Sequence, residues 1–320
     1  MTEPIAPLII DVVIPVYNGA AYLRQALDSV ADQTHPPRSI IVVDDGSTDQ
    51  TPTMCQEHRG AVPLVYLRQE NRGLSAARNA GWKKSDAPYI AFLDSDDVWR
   101  PGKLAAQAAL WQSSSLTDLV LVYCAYSLID EAGQTVHPAH LPIVKPTLRG
   151  QVFQGLLAKN TISGSGSGVM IRREALERTG GFDETLRALE DWDMWLRLAQ
   201  LGTFDFVPEN LVAIRTHQAG MQHDSERMML ATLGFLSRWL ERLPTGTEPP
   251  RAWLQTLARY ASTTWPPQRF VGLVKARLSP PARLRLQYYI RHHAKSYAAL
   301  RLLSLPAEWL IRQPWRAKRS

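Results

Sequence analysis

The first third of the chain alternates between short apolar segments and segments with helical spacing, and this alternation constrains the fold more than any other feature. The apolar segments, which predict buried strands, span residues 8–16, 39–43, 62–67 and 90–93. A helical pattern follows each of them; after the first, Leu23, Leu27 and Val30 share one face. Close alternation of this kind is typical of a mostly parallel sheet flanked by helices. The sequence therefore predicts an α/β fold.

Carboxylates cluster where two of the predicted strands end. Asp44 and Asp45 follow the second strand, and Asp94, Asp96 and Asp97 follow the fourth. Because the carboxyl ends of parallel strands share one edge of a sheet, both clusters should line a single cleft. Like charges this close repel, and a divalent cation with hard oxygen ligands would compensate them. The pattern predicts a metal site that holds a phosphorylated ligand; the alternative is a solvated acidic turn.

Composition narrows the cellular setting. Two cysteines, Cys55 and Cys124, cannot build a disulfide framework or a zinc cluster, and they fit a reducing compartment. Residues 1–7 lack the basic and apolar regions of a signal peptide. No apolar run reaches the roughly 18 residues that a transmembrane helix needs. We therefore expect a cytoplasmic chain without a membrane span.

Charge divides the chain into two parts. Residues 225–320 contain 17 Lys and Arg against 4 Asp and Glu, a net charge of +13. Because the whole chain carries +6, residues 1–224 carry −7. We expect an acidic domain, 1–224, and a basic helical region, 225–320, that contact different partners.

The basic region combines helical patterns, broken by proline, with five tryptophans: Trp239, Trp253, Trp265, Trp309 and Trp315. Arginine and tryptophan together suit a membrane interface, and anionic lipids attract basic segments. One hypothesis is peripheral attachment to the inner face of the cell membrane. The other is a helical subdomain that covers the sheet. Nucleic acid is not an expected partner, because the sequence shows no known nucleic-acid-binding motif.

Six motifs in order give the chain a resemblance to glycosyltransferase family 2, a family of inverting enzymes with a GT-A fold. They are VIPVYN at 13–18, VVDDGSTD at 42–49, NRGLSAARN at 71–79, FLDSDD at 92–97, GFDE at 181–184 and EDWDMWLR at 190–197. The resemblance extends from about residue 8 to about residue 217 and leaves the basic region outside. It implies an enzyme that transfers a hexosyl or N-acetylhexosaminyl group.

The resemblance implies that the N-terminal motifs bind the nucleotide of the donor. Asp44 would accept a hydrogen bond from the base, and the turn around Pro15 and Tyr17 would line the site. Either Arg72 or Arg78 would reach the nucleotide, and the resemblance does not choose between them.

The later motifs would supply the chemistry. Asp94-Ser95-Asp96 would be the D-x-D motif of the family, in which Asp94 and Ser95 help to bind the nucleotide and Asp96 is the direct ligand of Mn²⁺ or Mg²⁺ on the diphosphate. His217 matches a position that approaches the metal or diphosphate in some relatives. Asp191 would be the general base that deprotonates the acceptor hydroxyl, so that one in-line displacement inverts the anomeric carbon. The expected partners are a nucleotide-diphosphate sugar, with UDP favoured, and a saccharide or lipid-linked acceptor in polysaccharide or glycolipid assembly.

Two other functions compete with this interpretation. Residues 94–98 also fit the D-x-D-x-[T/V] pattern of haloacid-dehalogenase-like phosphatases, in which the first Asp is a nucleophile. That pattern normally follows the first strand of its domain, whereas three predicted strands precede it here. The second competitor is a non-catalytic protein that binds nucleotide sugars or acts as a membrane scaffold.

Overall fold

The computed structural model describes residues 7–136, 143–162, 166–216, 225–243, 250, 252–253 and 276–293. The chain divides into two compact units, Met1–Gly220 and Met221–Ser320. His217, Trp265, Trp309 and Trp315 lie outside the described residues, so what the sequence predicts for them stays a prediction.

The first unit is built on one sheet whose eight described strands lie in the order β3-β2-β1-β4-β7-β6-β8-β5. The strands are β1 (Ile10–Val16), β2 (Ser39–Asp44), β3 (Leu64–Arg68), β4 (Tyr89–Phe92), β5 (Val98–Trp99), β6 (Leu119–Ile129), β7 (Met170–Arg172) and β8 (Thr203–Arg215). The four segments predicted from the apolar runs are β1 to β4. The short strand β5 has no apolar run of its own and was not predicted.

The two halves of the sheet differ in strand direction. β1 pairs in parallel with β2 and β4, and β2 pairs in parallel with β3. In the other half, β7 lies antiparallel between β4 and β6, and β5 is antiparallel to β8, while β6 and β8 are parallel. The predicted α/β fold is confirmed, with the parallel part concentrated in the N-terminal half.

The first unit also contains seven described helices, most of which pack against the sheet. They are α1 (Leu23–Ala31), α2 (Thr51–Glu57), α3 (Leu74–Lys84), α4 (Lys103–Ser113), α5 (Phe153–Ala158), α6 (Arg173–Thr179) and α7 (Glu190–Ala199), with a 3-10 turn at Gly166–Gly168. The predicted inner face of α1 is buried. Helix α3 approaches β1 closely, because a Cβ at Gly81 would lie only 2.3 Å from a methyl carbon of Val13. This close approach sets α3 directly against the parallel strands.

The second unit contains two described helices that pack together, α8 (Ser225–Arg242) and α9 (Pro280–His293). The Phe235 ring contacts the rings of Trp239 and Trp253, with centroids 6.4 and 5.9 Å apart. Trp239 is 0% exposed and Trp253 is also buried. These two tryptophans therefore belong to the interior of the unit and do not supply exposed rings to a membrane interface. Peripheral attachment itself stays a prediction. No helix in the described part of the chain combines the length and apolar character that a bilayer crossing requires.

Candidate active site

The acidic turn after β4, residues 94–97, is held by hydrogen bonds to two residues that are distant in sequence. The Asp97 carboxylate is buried; it accepts hydrogen bonds from the Ser167 hydroxyl at 2.5 Å and from the Arg215 backbone N–H at 2.9 Å. Burial, together with the charges of Asp96 and Asp94, raises the pKa of Asp97 well above its usual range. Asp97 therefore anchors the turn and leaves its two neighbours nearer the solvent.

Asp94 and Asp96 are half-buried. The Asp94 N–H donates to the Ser167 hydroxyl at 3.0 Å, and the Asp96 carbonyl accepts from Arg215 Nε at 2.9 Å. Arg215 also donates to the carbonyls of Asp130 and Glu131 and to the side chain of Gln25. The D-x-D turn is thus held rigidly.

Arg78 on α3 joins the two acidic motifs. It is 1% exposed. Its Nη2 lies 2.7 Å from Asp94 Oδ1, and its Nη1 lies 2.9 Å from Glu190 Oε1 at the start of α7. The guanidinium also lies over the Phe182 ring, 5.2 Å from its centroid. One buried cation therefore brings the D-x-D turn and the first turn of α7 into a single site.

Asp191, the predicted base, follows Glu190 in this first turn. It is half-buried, and each of its oxygens accepts one hydrogen bond: Oδ1 from the Trp192 N–H at 2.7 Å, and Oδ2 from Asn160 Nδ2 at 3.1 Å. Burial, reinforced by the charge of Glu190, raises the pKa of Asp191 to about 7, against the opposing effect of Arg78. A carboxylate that titrates near neutral pH is suited to proton transfer.

The raised pKa of Asp191 makes the stability of the fold depend on pH. Its folded-state pKa of about 7 lies above the unfolded value, so the folded protein holds the extra proton between these values. The stability that this proton contributes is complete at low pH and is lost as the pH rises through 7. Relative to Asp191→Asn, which cannot ionise, the wild type should lose on the order of 3 kcal/mol of unfolding free energy between pH 5 and 8. Urea unfolding of both proteins across this range would measure it, and a constant difference would contradict the raised pKa.

The predicted nucleotide residues have different environments. Asp44 is 0% exposed, and its carboxylate accepts from the Ser47 N–H at 2.7 Å and the Tyr66 hydroxyl at 2.6 Å. Asp45 is also buried; it accepts from the backbone N–H groups of Arg72 and Gly73 at 2.9 and 2.7 Å. Both carboxylates order the loops around them, and contact between Asp44 and a base stays a prediction.

The other residues predicted to bind the nucleotide differ in their exposure to solvent. Tyr17 is 54% exposed, Pro15 is buried and Ser95 is half-buried. The Arg72 side chain is 62% exposed and pairs with Glu184 at 2.7 Å. Arg78 is buried between two carboxylates. Arg72 is therefore the arginine with open access to solvent, whereas Arg78 has a bridging position that the sequence did not indicate.

The acidic turn is chemically suited to a divalent cation. In the described residues, no three Asp, Glu, His or Cys side chains converge as a complete metal site. Mg²⁺ is commonly bound by one or two carboxylates together with substrate phosphates, so an incomplete protein ligand set fits an ion that arrives with a diphosphate. Asp94 and Asp96, as hard oxygen donors on a fixed turn, meet this requirement.

Comparison with known proteins gives the site a context. Residues 11–180 match the model of the family described as "Glycosyl transferase family 2". An uncharacterized glycosyltransferase of Rickettsia prowazekii is 33% identical over 68% of this chain and 67% of its own length. A putative teichuronic acid biosynthesis glycosyltransferase of Bacillus subtilis, TuaG, is 34% identical over 61% of this chain and 73% of its own. For longer Rickettsia relatives, the match spans only 30–34% of their length.

Solved structures show the same fold. S. aureus TarS 1–349 in complex with UDP-GlcNAc has a TM-score of 0.59 at 18% identity and covers 97% of this chain and 93% of its own. The mannosyltransferase PcManGT from Pyrobaculum calidifontis, in complex with GDP-Man and Mn²⁺, has a TM-score of 0.57 at 20% identity and covers 97% and 84%. The comparisons do not favour the phosphatase or the non-catalytic alternative. The family model matches more than half of the chain, so the chain belongs to glycosyltransferase family 2, has a GT-A fold and is a glycosyltransferase.

Proposed function

We propose that residues 1–224 transfer a sugar from a nucleotide-diphosphate sugar, with a UDP-sugar favoured, to an acceptor hydroxyl with inversion. The observation that carries the proposal is the bridge of Arg78 between Asp94 and Glu190. Through it, the turn suited to a metal diphosphate and the candidate base lie at one site. An inverting displacement needs these two functions on opposite sides of one sugar.

Asp96 would hold Mn²⁺ or Mg²⁺, with Asp94 beside it and His217 as a further candidate. Such an ion neutralises diphosphate charge as a Lewis acid and so makes the nucleotide a better leaving group. The turn supports this role, because hydrogen bonds with Ser167 and Arg215 hold its backbone in place. Ser95, between the two carboxylates, would contact the diphosphate.

Asp191 would remove the proton of the acceptor hydroxyl as that oxygen attacks the anomeric carbon. With a pKa of about 7, it is largely ionised at slightly alkaline pH and still basic enough to accept a proton. Asp191 is half-buried, so the acceptor can reach it.

The donor and acceptor classes rest on neighbours and relatives. TarS binds UDP-GlcNAc and PcManGT binds GDP-Man with Mn²⁺, and TuaG is named for teichuronic acid biosynthesis. We therefore favour a nucleotide-sugar donor, and a saccharide or lipid-linked acceptor in polysaccharide or glycolipid assembly.

Thermal shifts with UDP, GDP, dTDP and CMP, each with and without Mn²⁺, test the donor site. A nucleotide at about 100 times its dissociation constant should stabilise the protein by roughly 2.7 kcal/mol. We expect one nucleotide, most readily UDP, to give a shift that requires the metal and is lost in Asp96→Ala. Glu174→Gln, an exposed carboxylate on α6, is the matched control and should keep the shift. Absence of any metal-dependent shift would contradict the proposed donor site.

We further propose that the basic region attaches the enzyme to the inner face of the cell membrane, where a lipid-linked acceptor would be found. Its net charge of +13 supports this, since anionic lipids attract Lys and Arg. The buried Trp239 and Trp253 do not contribute to the argument. Sedimentation with phosphatidylserine vesicles should show binding that weakens with salt, and no salt-sensitive binding would contradict the attachment.

A further inference from the structure

Asn160 makes a single side-chain hydrogen bond among the described residues, and it makes it to the candidate base. Its Nδ2 donates to Asp191 Oδ2 at 3.1 Å. Asn160 follows α5, and α5 is fastened to the start of α7 by the bond from Trp192 Nε1 to the Leu156 carbonyl at 2.7 Å. The amide is therefore held beside Asp191 by the packing of two helices.

The oxygen of the Asn160 amide indicates that the position of this side chain beside Asp191 is not only structural. Asn160 Oδ1 is buried and meets no hydrogen-bond donor in the described part of the chain. A buried acceptor without a donor costs roughly 1–3 kcal/mol. An apolar side chain of similar size would avoid this cost. An unpaired buried polar group calls for an explanation, and the position of Asn160 beside Asp191 offers a catalytic one.

The hydrogen bonds of Asp191 define the direction of its free lone pairs. Trp192 donates to Oδ1 and Asn160 donates to Oδ2, so both oxygens are held and the plane of the carboxylate is fixed. Each oxygen can still accept another hydrogen bond. We propose that Asn160 is a positioning residue that orients the Asp191 carboxylate toward the acceptor hydroxyl. The proposal rests on the proposed role of Asp191 as base.

The charged groups around Asp191 show how the Asn160 hydrogen bond contributes to its ionisation. Glu190 disfavours ionisation of Asp191, and Arg78 favours it. Helix α5 contains no ionisable side chain, and on α6 Arg173 and Glu177 pair with each other at 2.6 Å. On α7 itself, Asp193 pairs with Arg197 at 2.8 Å. The Asn160 donor therefore acts together with Arg78 to favour the carboxylate over the carboxylic acid.

Titration of Asp191 in the whole chain of 320 residues tests the proposal without any substrate. Aspartate labelled with ¹³C at Cγ would report ionisation by NMR, and the Asp191 signal is the one missing in Asp191→Asn. Loss of a hydrogen bond to a charged group should raise the Asp191 pKa in Asn160→Ala by roughly one unit. Asn160→Asp should raise it further, because it places a second carboxylate there. Gln154→Ala, an exposed amide on α5, is the matched control and should leave it unchanged.

An unchanged or lowered Asp191 pKa in Asn160→Ala would overturn the proposal. If that variant does not fold, Asn160→Leu, which has a side chain of similar size but cannot donate a hydrogen bond, decides in its place by the same criterion. The thermal shift given by UDP with Mn²⁺ should be the same in wild type and Asn160→Ala, because the amide acts on the acceptor side. If no nucleotide gives a metal-dependent shift even in the wild type, the proposed donor site fails, whereas the titration still decides the role of Asn160.

Discussion

Asp191→Asn is expected to bind the donor nucleotide as the wild type does and to lose sugar transfer by roughly 10²–10⁴-fold, the usual contribution of a general base. The substitution keeps the shape of the side chain and removes its ability to accept the proton. Asp191 does not contact Arg78 or the acidic turn through any hydrogen bond described, so the donor side should be undisturbed. The loss should therefore fall on the catalytic step.

The measurement combines two readouts on one preparation. Isothermal titration with Mn²⁺ and the nucleotide that gives the metal-dependent thermal shift measures the affinity. Release of that nucleotide from its sugar conjugate in the presence of an acceptor saccharide measures the rate. In the wild type the rate should rise with pH through about 7, as Asp191 loses its proton. Glu174→Gln should match the wild type in both readouts. Weakened binding of that nucleotide in Asp191→Asn, or transfer at the wild-type rate, would argue against the role of Asp191 as base.

The parts of the fold that were predictable are those with a continuous local signal. β1, β2 and β4 are buried on both faces and are therefore mostly apolar in the sequence, with Asp11 and Asp44 as buried exceptions. Strand β8 (Thr203–Arg215) gives a weaker signal, because Asp205, Glu209 and Asn210 interrupt its apolar pattern. Asp205 is buried within it and pairs with Arg149 at 2.8 Å, a contact between residues far apart in sequence. Such a pair leaves no periodic pattern in either segment.

In the candidate site, too, the features with a local sequence signal were predictable and the contacts between distant residues were not. Its carboxylates were found from their clusters and from family motifs, because those are contiguous in sequence. Ser167 and Arg215, which hold the acidic turn, lie 70 and 118 residues from Asp97. Arg78 lies 112 residues from Glu190. Nothing in the local sequence says that an arginine on an alanine-rich helix faces inward onto two carboxylates, so the bridging position had no signal that could have revealed it.

Arg78→Met should destabilise the first unit by about 3–5 kcal/mol, the usual cost of removing one partner from a buried ion pair. Methionine preserves much of the side-chain volume and its contact with the Phe182 ring. It leaves Asp94 and Glu190, which now share one guanidinium at 2.7 and 2.9 Å, without their common cation. The negative charges of both carboxylates are then left without a positive partner, in a site where little water can solvate them. Arg178→Met, on the exposed surface of α6, controls for loss of an arginine and should change stability little.

Two further variants separate charge from geometry in the Arg78 bridge. Arg78→Lys keeps the positive charge, but a single ammonium group cannot reproduce the planar guanidinium that reaches Asp94 and Glu190 with separate nitrogens, so it should recover only part of the loss. Adding Glu190→Gln to Arg78→Met removes one of the two uncompensated charges and should restore part of the stability, a coupling that a double-mutant cycle in urea measures directly. If Arg78→Met is as stable as the wild type, or if the two substitutions add without coupling, the bridge does not hold the two acidic motifs together. Asp94 belongs to the motif proposed to bind the donor, and Glu190 belongs to the motif that contains the candidate base. Coupling between the two substitutions would therefore show that Arg78 connects the donor-binding part of the site with the acceptor-binding part.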